Sequence, residues 1–262
     1  MNFRMYREPR VVALLLGALA VSAGAATALA ADAPPEGVWN GKGQLGYVAT
    51  QGNTESKSLN AALDMAELNG VWKHAFHLGG LYGQQNGVTS ASRWDLGWQS
   101  DYKISDRAFA FGALRYTSDK FGGFQDQESA TAGVGYKFVD SDTLKLAGQV
   151  GAGFRQAQPQ LLTKNAAGAV IARSFPPRES GAVVTAGVDY WQALTKTTAL
   201  SDKLMIESGS DNTLITNALA LTVKMSDKLA LGLGYSIQDN TKAPAGVKKL
   251  DSIETVNLVY SF

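Results

Sequence analysis

The sequence contains no cysteine, two histidines and seven prolines, and its 24 basic side chains nearly cancel its 23 acidic ones. Without thiols there is no disulfide scaffold, no thiol nucleophile and no thiolate metal site. An oxidising compartment stays open, because proteins live there without disulfides. The balanced charge disfavours nucleic-acid binding, which needs a Lys/Arg excess to neutralise phosphates. Past residue 30 no apolar run approaches the roughly 18 residues of a membrane-crossing helix. Glycine is what the chain has in excess, 28 in 262 residues, against a usual level of about 7%. A Gly-rich chain of low charge that carries aromatics points to β structure.

The N-terminus reads as a removable leader. Arg4, Arg7 and Arg10 precede the apolar stretch Val11–Val21, and Ala28-Leu29-Ala30 fits an A-x-A cleavage site. A membrane anchor is the competing reading, but the apolar core is short of the about 20 residues needed to span. The expected organisation is a signal peptide over 1–30, a Pro-bearing periplasmic tether over 31–41 and one barrel over 42–262.

Period-two alternation dominates the rest, as in strands with two unlike faces. Trp94, Leu96 and Trp98 alternate with Arg93, Asp95 and Gln99, and Leu229, Leu231, Leu233 and Tyr235 alternate with Gly232, Gly234 and Ser236. About 12 strands result, an even number that suits a closed antiparallel barrel. Short turns are expected at Asn69-Gly70, 104–107, 139–142, 194–196 and 225–228, with longer loops at 51–56, 84–92, 119–126, 156–180, 207–212 and 239–249. Short connections on one side and long ones on the other fit an outer-membrane barrel. A soluble sandwich also alternates. The leader, the aromatics at stripe ends and the glycines and charges gathered on the opposite face favour the membrane. Trp72 and Tyr82 lie ten residues apart on one face. At about 3.3 Å per residue and about 45° tilt they span roughly 23 Å, close to an apolar band of about 25 Å. The fold class expected is all-β, a transmembrane antiparallel up-and-down barrel.

The last strand ends Val256-x-Leu258-x-Tyr260-x-Phe262, which resembles the signal read by the barrel-assembly machinery. Together with Gly52-Asn53-Thr54 before Leu59, with Arg115-Tyr116 and with Gly133-x-Gly135-Tyr136, it is similar to the salt-induced outer-membrane protein family, over essentially all of 42–262. The resemblance implies an outer-membrane barrel linked to osmotic or salt stress, with outer-membrane lipids, lipopolysaccharide and the assembly machinery as partners. It supplies no catalytic residue.

His74 and His77, three apart on a strand, point to opposite faces and cannot chelate one ion together. They read as an interfacial and a lumen filler. A hydrolase would depend on His77, which has no motif around it. No catalytic, cofactor or metal site is expected. Inward charges are expected at Lys42, Lys73, Arg93, Arg115, Lys137, Lys145, Arg155 and Lys203 against Asp64, Asp95, Asp101, Asp189 and Asp251. They fit either a salt-bridged interior or the charge rings of a narrow pore. Arg93, Arg115 and Arg155 fall near the outer strand ends. Loop 156–180 is expected either to constrict the mouth or to stand outside, and Phe121 and Phe124 to be exposed around a Gly pair. The function expected is a small passive pore for ions or small solutes, with a non-conducting structural or surface-binding barrel as the alternative.

Overall fold

The computed structural model describes residues 36–51, 55–244 and 248–262. The leader, the first part of the tether and Gly52-Asn53-Thr54 lie outside the described residues. All regular structure within them is strand: β1 (Asn40–Thr50), β2 (Ser56–Asn69), β3 (Trp72–Gln85), β4 (Val88–Lys103), β5 (Ala108–Asp119), β6 (Phe124–Asp140), β7 (Leu144–Pro159), β8 (Leu161–Lys164), β9 (Val170–Ser174), β10 (Glu179–Ala193), β11 (Thr198–Gly209), β12 (Thr213–Lys224), β13 (Leu229–Asn240) and β14 (Leu250–Ser261).

Twelve of these close into one antiparallel barrel, and β8–β9 form a separate two-stranded sheet between β7 and β10. Each barrel strand pairs with its chain neighbours, and β1 closes on β14 through Leu45↔Leu258 and Gly43↔Tyr260. An even number of strands puts both chain ends of the barrel at one end, together with the turns near Gly70, 104–107, 141–143, 194–197 and 225–228. That end is called the turn end, and the opposite one the loop end.

The register separates the faces. Leu63↔Leu78↔Leu96↔Tyr116 and Val223↔Leu231↔Leu258 run around the outside, and Val150, Val184, Leu231, Val256 and Leu258 are all exposed there. Tyr82, Trp94, Phe154 and Tyr235 crown the outer face toward the loop end, and Trp72, Tyr102, Tyr136 and Tyr260 toward the turn end. A soluble barrel does not wrap itself in exposed Leu, Val and aromatic rings. In a bilayer that same belt is lipid-facing, with Trp and Tyr at headgroup depth.

The loops are shorter than the sequence suggests. The segment 84–92, expected as a loop, is strand on both sides of the two-residue turn Asn86-Gly87, whose φ angles of 49° and 76° mark a tight hairpin turn. The connection expected at 119–126 shrinks to 120–123, and that at 207–212 to 210–212. The expected loop 156–180 loses both flanks to β7 and β10 and folds its middle into the β8–β9 hairpin. Polar, Gly-bearing stretches look like loops in sequence, but a lumen-facing row needs no apolar residues.

Candidate functional site

The interior is where functional chemistry gathers, because alternation sends the polar half of every strand inward. Arg93, Asp95, Arg115, Lys137, Lys145, Arg155 and Asp189 all fall on inward rows of the register. The structure brings them into separate groups at different depths rather than into one ring.

Toward the turn end, Asp64 on β2 accepts from His77 on β3 (Nδ1 to Oδ1, 2.5 Å), and His77 Nε2 lies 3.0 Å from Asp95 on β4. Both ring nitrogens face carboxylates, and both can donate only if the ring is an imidazolium. Lys42 Nζ stands 3.8 Å from the second Asp64 oxygen, and Gln44 Nε2 donates to the same oxygen. Two cations thus meet two anions, and the buried charges are balanced. Sequence reasoning placed His77 inside but missed its partners. The turn falls on Gly70-Val71, one residue later than the expected Asn69-Gly70, and that shift sets Asp64 opposite His77 rather than Ala75.

Asp189 and Lys203 pair at 3.4 Å across β10 and β11, and the Asp189 side chain is 46% exposed although it points inward. There is thus room for water beside this pair. Lys137 and Lys145 both reach Asp140 at the turn-end rim, at 3.0 and 4.0 Å.

Phe111 and Trp191 are buried inward-facing aromatics, and Trp191 is level with Lys145 at the turn-end rim. The wall glycines make room for such rings. A Cβ at Gly135 would fall within the Phe109 ring, and one at Gly151 would lie 2.9 Å from Phe111 Cζ. These inward aromatics were not anticipated, because the sequence shows which face a residue shares but not which empty positions adjoin it. Gln99 on β4 donates to Gln149 on β7 at 3.3 Å and so arches over two intervening strands.

Toward the loop end, Arg155 reaches across β10 to Glu207 Oε1 (3.3 Å) and to the Asn212 carbonyl (2.6 Å). Arg115, half-buried, feels the charges of Glu207 and Asp189. Arg93 is buried beside Asp119 and Asp251. The β8–β9 hairpin leans on the β5–β6 connection. Arg173 donates to the Lys120 carbonyl and to Gln160, and lies 5.5 Å from the Phe121 ring. Gln160, fully buried, donates to the carbonyls of Asp119 and Gly122. Phe124, expected to be exposed, is buried: it lines the loop-end cavity beside Arg93 and Asp251. Arg178 holds the return of the segment to Asp126, Glu128 and Gln156 on the outer side of the wall. Val256, Leu258, Tyr260 and Phe262, expected to carry the assembly signal, share one exposed outward row at the closing seam.

Residues 43–262 match the family described as "Protein of unknown function, DUF481". The chain is 24% identical over 229 residues to the uncharacterized protein YdiY of Escherichia coli (strain K12), covering 85% of this chain and 83% of YdiY. Among solved structures it is similar to the NanC porin, with TM-score 0.44, 10% identity and coverage of 86% of this chain and 99% of that one. It is similar also to the KdgM porin, with TM-score 0.41, 12% identity and the same coverages.

Proposed function

The chain belongs to the DUF481 family, and we propose that it is an outer-membrane barrel whose lumen is a narrow polar conduit for ions or small solutes, with the turn end in the periplasm. The carrying observation is the water-exposed Asp189–Lys203 pair inside a wall that is apolar on its outside. The polar row continues from there through Gln99 and Gln149 to Arg155 and Glu207. Passage is narrow because these groups bridge across strands, and selectivity follows from the lining charges. His77 has both nitrogens committed to carboxylates, leaving neither to activate a nucleophile, which favours a passive role over hydrolysis. Buried inward Phe111, Trp191 and Leu81 favour a second reading, a sealed barrel that serves the envelope structurally. Lipids and lipopolysaccharide around the belt, and the assembly machinery at the last strand, are the partners this proposal carries. The link to salt stress is also part of it.

Single-channel recording in planar bilayers separates the two readings. Discrete steps of small conductance are expected, and silence at all voltages would establish the sealed barrel. Growth of a deletion strain at raised salt tests the stress link, with a selective defect expected.

A further inference from the structure

Asp202 on β11 pairs with Leu219 on β12, which pairs with Tyr235 on β13, so all three share the outward face of the wall. Asn217, two residues from Leu219, points the same way and donates from Nδ2 to Asp202 Oδ1 at 2.7 Å. We propose that this face, centred on β12, is the contact through which two copies of the chain associate side by side in the membrane; it rests on the outer-membrane reading and not on conduction. Three observations carry it.

The first is depth. Asp202 lies four residues from the turn end of its strand and Asn217 seven. At about 3.3 Å per residue and about 45° tilt these are heights of roughly 9 and 16 Å, inside an apolar band of about 25 Å. A carboxylate and an amide facing hydrocarbon are costly, and at that depth such groups ordinarily face protein or water.

The second is a gap in the girdle. β11 and β12 contain no Phe, Trp or Tyr, and no other two adjacent barrel strands lack all three. Aromatic rings mark the headgroup levels of a lipid-facing wall. Their absence falls on the two strands that carry the polar pair, which fits a stretch of wall covered by protein.

The third decides the occupant. Asn217 Nδ2 is already spent on Asp202 and, at 3.5 Å, on the Lys203 carbonyl. Asp202 Oδ2 and Asn217 Oδ1 accept nothing among the described residues, so the patch needs a donor. Tyr235 supplies one. Its ring is exposed, and its hydroxyl has no partner among the described residues. Within one copy Leu219 stands between Asp202 and Tyr235. A two-fold axis beside Leu219, parallel to the barrel axis, sets β11 of each copy against β13 of the other. Tyr235 is two residues higher on its strand than Asp202, a difference of about 5 Å that a tyrosine side chain can bridge. Each hydroxyl then donates to the other copy's carboxylate, the reciprocal pairing that an isologous interface requires. Glu254, outward on β14, lies two strands from β12 and curves away from such a contact.

Because the chain has no cysteine, single cysteines report the contact. Leu219→Cys, and Leu96→Cys on β4 six strands away in either direction, are made in the full chain, reconstituted in dilute phospholipid vesicles and oxidised. A disulfide-linked dimer is expected for Leu219→Cys and not for Leu96→Cys, since bridged Cα atoms must come within about 7 Å. Added to Leu219→Cys, Tyr235→Phe and Asp202→Leu should each weaken association by about tenfold, the scale of one lost hydrogen bond, read as the lipid dilution at which linking is half-maximal. Both barrels should stay heat-modifiable on gels. If Asp202→Leu fails to fold, Tyr235→Phe alone decides. Equal linking at positions 219 and 96 means chance collision and overturns the proposal, as does linking that ignores both added substitutions. A Leu219→Cys adduct with a different chain in whole outer membranes, without the self-adduct in vesicles, gives the face to another protein and also overturns it. A heat-modifiable barrel that stays monomeric in outer membranes refutes the interface and keeps the location, whereas a soluble chain withdraws both.

Discussion

At His77 one ring ties three strands together, with carboxylates of β2 and β4 on either side and only 9% of the residue exposed. His74, three residues earlier, points outward, accepts or donates one bond with Ser100 and stacks on Trp72. The same substitution should therefore cost very different amounts. His77→Leu leaves Asp64, 2% exposed, with one cation fewer beside it. Removing one partner of a buried ion pair costs of order 3 kcal/mol. His74→Leu gives up a single half-exposed hydrogen bond and should cost about 1 kcal/mol or less. Urea unfolding of the two variants in micelles checks this, and equal midpoints would remove His77 from the framework. A hydrolase dependent on His77 would require one of its nitrogens to be free.

Among elements, β5, β6 and β7 depend on matched ring and glycine positions. Gly151 faces inward under Phe111, and a Cβ there would meet the Ala132 carbonyl oxygen at 2.6 Å as well as the ring. Backbone cannot yield as a side-chain tip can, so Gly151→Ala is overpacking, with a cost of about 1–3 kcal/mol. Gly112, on the outward row of β5, has nothing within 4 Å of its Cβ position. Gly112→Ala should leave the folded yield unchanged or raise it slightly, since alanine loses less backbone freedom on folding. Refolding yields that fall alike in both variants would contradict the packing described for this part of the wall. The hairpin at Asn86-Gly87 is a contrasting case in which local chemistry suffices, since both residues adopt the positive φ that the turn requires.

For the molecule as a whole, closure is the decisive event. β14 pairs with β13 along its length and with β1 through Lys42↔Ser261 to Leu45↔Leu258, and Phe262 exchanges backbone hydrogen bonds with Gly41. Phe262 thus completes the seam and ends the outward row Val256, Leu258, Tyr260. Deleting it should lower the amount of outer-membrane, heat-modifiable barrel several-fold, whereas Ser261→Ala should have little effect. Equal amounts of the two in membrane fractions would deny the last residue its part in assembly.

By itself the sequence determined the barrel: alternation fixed which side chains share a face, and the even run of strands fixed closure. Asp64 opposite His77 was not legible, because a turn at Asn69-Gly70 sets Asp64 against Ala75 and the turn formed one residue later, at Gly70-Val71. Only the tertiary structure decided what lies inside. Arg155 meets Glu207 across an intervening strand, Gln99 meets Gln149 across two, and Phe111 settles over the glycine of a strand that is not its neighbour. These contacts are set by the curvature of the closed wall and by the space left at glycine, neither of which is written in any local pattern. Arg93 Nε and Gln127 Oε1, buried without a hydrogen-bond partner among the described residues, belong to the same class.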